Sequence, residues 1–117
     1  TVDEGIKAYE NKDYKTALKI FEKLALKNDA KAQNALGITY SNKNNAVKRD
    51  PIKAKEWFEK AAAQNFAHAQ HELGVMYAKG EGIKQDKKVA KEWLRKACDN
   101  KFQKSCRIYK RLNEQGY

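Results

Sequence analysis

Residues 30–40 read AKAQNALGITY and residues 67–77 read AHAQHELGVMY; residues 54–62 read AKEWFEKAA and residues 90–98 read AKEWLRKAC. Ala30, Ala32, Gln33, Leu36, Gly37 and Tyr40 thus recur 37 positions on as Ala67, Ala69, Gln70, Leu73, Gly74 and Tyr77. Asp50, Ala54, Trp57, Lys60 and Ala61 recur 36 on as Asp86, Ala90, Trp93, Lys96 and Ala97. The offset changes between Tyr40 and Asp50, so a loop varies in length while the blocks on either side keep register. Apolar residues return at three and four, never in strict alternation, so both blocks are helical. Helix, loop and helix at a period near 36 define an α-solenoid, in which each unit buries its apolar face only against its neighbours.

Working outward, the spacing predicts an all-α, right-handed solenoid of about seven helices, near 2–11, 14–27, 30–42, 51–64, 67–79, 87–99 and 103–115. Ala17, Phe21, Glu22 and Lys23 align with Ala54, Phe58, Glu59 and Lys60, which brings the first helix pair into the array. The chain is read as a single repeat domain, 1–117, made of units 1–29, 30–66 and 67–102 and a capping helix at 103–117. Asp13, Asp50 and Asp86 each precede a second helix, where a carboxylate accepts from unpaired N–H groups and suits the positive helix end. Pro51 falls just inside a helix start, where its missing N–H costs nothing. Glu56/Lys60 and Glu92/Lys96 are expected to pair at i,i+4.

Of 117 residues, 41% are hydrophobic and 34% charged, the balance of a water-soluble domain with one continuous core. No apolar run approaches the roughly 18 residues needed to span a bilayer. The chain begins at Thr1 and not at Met, which is compatible with a removed leader. The net charge of +10, from 25 Lys+Arg against 15 Asp+Glu, favours acidic partners. Most of the lysines are interleaved with glutamates, and no aromatic–basic pattern or arginine cluster accompanies them, so nucleic acid is not expected.

The third unit carries Ala69, Leu73-Gly74, Tyr77, Gly80, Gly82-Ile83, Asp86, Ala90, Trp93 and Lys96-Ala97. This set closely resembles the Sel-one-like repeat, a longer-looped relative of the tetratricopeptide repeat. The second unit matches through Ala32, Leu36-Gly37, Tyr40, Asp50, Ala54, Trp57 and Lys60-Ala61-Ala62; the first, with Tyr9, Tyr14, Ala17 and Phe21, is closer to a tetratricopeptide unit. Physically, Ala32, Gly37, Ala69 and Gly74 let helices approach closely, and Leu36, Tyr40, Leu73 and Tyr77 fill one helix face. Trp57 and Trp93 are expected to bury large areas between units. Gly80 and Gly82 permit positive φ after a helix end; in the second unit Lys43, Asn44 and Asn45 stand there instead. In the last helix Tyr109, Lys110 and Asn113 replace Leu, Gly and Tyr, the polar change expected of a terminal cap that makes residue 117 a true end.

Cys98 and Cys106 lie eight apart across the last helix junction, as in cysteine-rich secreted bacterial members of the family that the chain resembles. Antiparallel helices joined by a short turn can bring such a pair within disulfide range, ~4.4–6.8 Å between Cα atoms. A disulfide implies an oxidising compartment, the bacterial periplasm or outside; two reduced thiols would imply cytosol. The spacing fits no zinc pattern, and no metal or cofactor is expected. His68 and His71 share a helix face without a third ligand and are read as solvent-exposed.

The resemblance implies that first helices line a concave face. With Ala69, Leu73, Met76 and Tyr77 buried, His68, His71, Val75 and Lys79 fall opposite. The repeat offset adds Lys31, Asn34, Ile38 and Asn42, and the last helix adds Arg107 and Arg111. An apolar centre with a basic rim suits an acidic protein or peptide. The expectation is a monomeric, non-catalytic, periplasmic binding protein, in its sharpest form an immunity protein that neutralises a secreted toxin. The alternatives are a cytosolic adaptor, or an enzyme acting on penicillins. The latter rests on resemblance alone, since no nucleophile–base pair or phosphate loop has supporting context.

Overall fold

The computed structural model describes residues 1–42 and 47–117; Lys43, Asn44 and Asn45, and the loop expected there, lie outside the described residues. Among the described residues there are seven helices and no strand: α1 (Val2–Glu10), α2 (Tyr14–Ala25), α3 (Ala30–Ser41), α4 (Pro51–Ala63), α5 (Ala67–Lys79), α6 (Lys87–Asp99) and α7 (Gln103–Glu114). They stack in sequence as an α/α solenoid of 44 × 25 × 22 Å.

The helices start where short polar side chains can serve them. Asp13, Asp50 and Asp86 accept from the backbone N–H groups of Thr16, Lys53 and both Lys88 and Val89. Asp29 does the same for Ala32, and Thr1 closes a capping box with Glu4, two caps that the sequence reading did not name. Each second helix ends through one residue of positive φ, Asn28 (67°), Asn65 (65°) or Lys101 (71°). The following N–H then reaches back to Leu24, Ala61 or Ala97, the six-to-one bond of a Schellman turn. Asparagine tolerates this conformation better than most residues.

Three apolar clusters run along the solenoid, and the first two cross a unit boundary. Ala17, Phe21 and Ala25 of α2 join Ala32 and Leu36 of α3. Ala54, Phe58, Ala61 and Ala62 of α4 join Ala69 and Leu73 of α5. Ala90 and Leu94 of α6 join Leu112 of α7. Within each of the first three units a first-helix glycine lies against the bulkiest second-helix residue. A Cβ on Gly5, Gly37 or Gly74 would stand 2.5 Å from Phe21, Phe58 or Leu94 respectively.

Two expectations need correcting. Trp57 and Trp93 pack against the core of the preceding unit but stay half-buried, and the fully enclosed side chains are their neighbours Phe58 and Leu94. The amines of Lys60 and Lys96 sit 4.6 and 4.7 Å from the indole centroids, in place of the expected pairing with Glu56 and Glu92. A half-buried indole face attracts an ammonium ion more than an exposed, hydrated carboxylate does.

A polar ladder that periodicity could not reveal ties the turns together. Gln33, 2% exposed, donates to Ala25 O and Asn28 Oδ1, and its own oxygen accepts from Gln64 at 2.9 Å. One unit on, Gln70 donates to Ala62 O and Asn65 Oδ1, and its oxygen accepts from Asn100 at 2.8 Å. Asn28, Gln33, Asn65 and Gln70 repeat at 37, which is the only sequence signal of this network.

Candidate functional site

The face built from α1, α3, α5 and α7 carries all ten residues of the expected binding band, in three different environments. Lys31, Asn42, Lys79, Arg107 and Arg111 are exposed. Lys31 lies 3.5 Å from Asp3 in an open, solvated pair, and Asn42 donates to the Tyr9 hydroxyl at 2.6 Å. Ile38, His68 and Val75 are half-buried. Asn34 and His71 are buried, at 5% and 8% exposure, so neither is the open surface residue that a helical wheel of one isolated unit predicts. Each first helix is flanked by the first helices before and after it, which widens its buried arc.

His71 shows how that arc is filled. Its ring stacks on Phe102, centroids 4.7 Å apart, while His68 stacks on the same phenyl ring at 5.3 Å. His71 Nδ1 is hydrogen-bonded to Ser105 Oγ at 2.7 Å. Burial holds the His71 imidazole below the usual histidine range; Glu72 opposes this, while His68 and Lys104 add to it. The sequence offered no supported nucleophile–base pair, yet His71 and Ser105 are within bonding distance. Ser105 is 0% exposed, so no substrate carbonyl has access to its oxygen, and the pair locks α7 to α5.

The corresponding space between α1, α3 and the start of α5 is open. A groove of about 310 Å³ runs there. Its apolar walls are Ile6, Tyr9, Phe21, Ala35, Ile38 and Phe66, and its polar positions are Lys31, Asn34, Thr39 and His68. Asn34 Nδ2 lies 3.2 Å from His68 Nδ1, and His68 Nε2 lies 3.3 Å from Glu72. Among the described residues, Asn34 Oδ1 is the one buried side-chain oxygen or nitrogen without a hydrogen-bond partner. Four residues of the expected band therefore meet in this groove, Lys31, Asn34, Ile38 and His68. Val75, Lys79, Arg107 and Arg111 lie outside it. Ile6, Tyr9 and Phe66 are the site residues that sequence reasoning missed. The signal for the first two was the alignment of α1 with α3 and α5, which the shorter first unit obscures.

At the other end, Cys98 and Cys106 form a disulfide with Cα atoms 4.7 Å apart, joining the end of α6 to the start of α7. Among the described residues no group of three or more histidine, cysteine or acidic side chains converges as a metal site. No helix there is long and apolar enough to cross a membrane.

Comparisons with known proteins agree with this architecture. The family model described as Sel1 repeat matches residues 4–29, 30–66 and 67–102. The crystal structure of a Sel1 repeat protein from Oxalobacter formigenes superposes with a TM-score of 0.91 at 33% identity, over 99% of this chain and 47% of that one. A protective antigen present in uropathogenic Escherichia coli strains, which displays an SLR fold, superposes with a TM-score of 0.79 at 31% identity, over 85% of this chain and 21% of that one. The chain thus spans about half of the first structure and about a fifth of the second. Among curated proteins none matches. Sel1 repeat proteins are generally non-catalytic scaffolds of protein–protein interaction. With three matched units and a solenoid of the same shape, the chain belongs to the Sel1 repeat family.

Proposed function

We propose that the protein is a non-catalytic scaffold that binds an acidic protein or peptide on the face of its first helices, in an oxidising compartment of a bacterium. The observation that carries this reading is the open, apolar-walled groove between α1, α3 and α5, set in a chain of net charge +10. An apolar recess with a charged margin is the usual composition of a protein-recognition surface. The Cys98–Cys106 disulfide supports the periplasm or the exterior, because such bonds persist where thiols are not kept reduced. In its sharper form the partner is a secreted toxin and the scaffold its immunity protein, for which the excess of basic charge is the support. The enclosure of the His71–Ser105 pair favours the non-catalytic reading over the penicillin-hydrolysing one.

The test is a pull-down from the source bacterium's periplasmic and secreted fractions, with the parent, Val75→Glu and the double variant Arg107→Glu/Arg111→Glu. A partner retained by the parent and weakened by either variant, at unchanged helix content, is the expected result. A partner held equally by all three would place binding on α2, α4 and α6 and overturn the choice of face.

A further inference from the structure

We propose that the groove at Asn34 is an anchor pocket for one bulky apolar side chain of an acidic protein segment, and that His71 and Phe102 fill the corresponding space one unit later. The inference rests on the first-helix face being the binding face and names what the partner must present to it. The two spaces differ because of one substitution within the repeat. Asn34 and His71 occupy the same repeat position, as do Phe66 and Phe102 and also Ile38 and Val75. In the later space the His71 ring lies on Phe102 and is tied to Ser105. In the earlier one the shorter asparagine leaves the Phe66 ring lining an open groove, together with Ile6, Tyr9 and Ile38.

Two further observations point to an occupant. Asn34 lines this groove with a carboxamide whose oxygen has no partner although the residue is 5% exposed. A peptide N–H entering beside the anchor supplies the missing donor once the amide turns toward it. Buried acceptors without partners are rare in folded proteins and mark a place where a group is missing. The margin is basic: Lys31 lines the groove, and its contact is Asp3, whose side chain is 87% exposed, so acidic residues flanking the anchor have a cation to meet. An apolar centre between acidic neighbours is the segment that complements this arrangement.

The experiment uses the isotope-labelled chain and amidated, acetylated heptapeptides in which Leu, Phe or Ala stands at the centre of Asp/Glu flanks. The Leu and Phe peptides should shift the amide signals of Ala35, Ile38 and His68 and bind about tenfold or more tightly than the Ala peptide, the worth of one buried side chain. Asn34→His should remove that preference without lowering the melting temperature, because the repeat already carries histidine at this position. Lys31→Glu should weaken all three peptides together and leave the preference intact. Equal binding of the Leu and Ala peptides, unaltered preference in Asn34→His, or no shift at millimolar peptide would each overturn the anchor. Shifts confined to Arg107 and Arg111 would overturn the anchor and leave the first-helix face standing. Shifts confined to α2, α4 and α6 would overturn both. Shifts with phosphatidylglycerol vesicles and none with peptide would assign the groove to a membrane surface instead and so overturn the proposal.

Discussion

Gly37 and Phe58 meet with no room for a single further carbon: a Cβ on Gly37 would lie 2.5 Å from both Cδ1 and Cε1 of the phenyl ring. Phe58 is 0% exposed, so the ring cannot swing aside. Gly37→Ala therefore loses about 1–3 kcal/mol to overpacking and regains up to about 1 kcal/mol of helix propensity. A net destabilisation of roughly 1–2 kcal/mol is expected by urea unfolding. Lys110→Ala, at the same repeat position in α7, is exposed and should stay within about 0.5 kcal/mol of the parent. Equal effects at the two positions would show that the helices do not approach as closely as Gly37 implies.

The division of labour between adjacent aromatics on α4 gives a second test. Phe58 is enclosed, whereas Trp57 is half-buried and carries Lys60 on its face. Phe58→Ala should cost about 3–5 kcal/mol, and Trp57→Ala about 1–3 kcal/mol, since much of the indole already meets solvent. The reverse order in unfolding experiments would restore the tryptophans as the inter-unit core.

Much of this fold was legible because a repeat is a built-in alignment. Gly37 and Gly74 stood out by recurring, and the caps Asp13, Asp50 and Asp86 each precede a helical block. The disulfide followed from the resemblance and from the short junction between α6 and α7. What stayed hidden depends on neighbours that a single unit does not show. His71 and Asn34 lie on the side of their helices away from Leu73 and Leu36, yet they are buried. The first helices of adjacent units cover that side, through the His68 contact of Asn34 and the Ser105 contact of His71. Gly5 repeats the role of Gly37 against Phe21, but the shorter first connection broke the offset that would have shown it.

The disulfide should matter most to α7, which packs chiefly against α6. Closing a loop of eight residues is worth about 2.5 kcal/mol by chain entropy. Reduction, or Cys98→Ser with Cys106→Ser, should lower stability by up to about that amount and speed amide exchange in α7 before α1–α4. Intact mass with and without alkylation checks the bond itself in protein recovered from its native compartment. Two free thiols there would sink the oxidising-compartment reading.

The buried histidine makes stability depend on pH in a defined direction. Burial holds the His71 imidazole below its ordinary value, while in the unfolded chain it titrates near 6.5. Between those two values the unfolded state binds a proton that the folded state refuses, so its contribution is complete above about pH 6.5 and falls as the solution is acidified toward the folded value. The slope from this one group cannot exceed about 1.4 kcal/mol per pH unit. Protonation also places a positive charge beside His68 and Lys104, which Glu72 alone offsets. His71→Gln keeps a hydrogen-bonding partner for Ser105 and removes the titration, at the cost of the stack on Phe102. Unfolding free energies of both proteins from pH 7.5 to pH 5 should therefore converge as pH falls, the parent losing stability faster than the variant. Because every other titrating group is common to the two, their difference isolates this site; parallel curves would mean that the imidazole takes up its proton inside the fold without penalty, against the burial that the structure assigns to it.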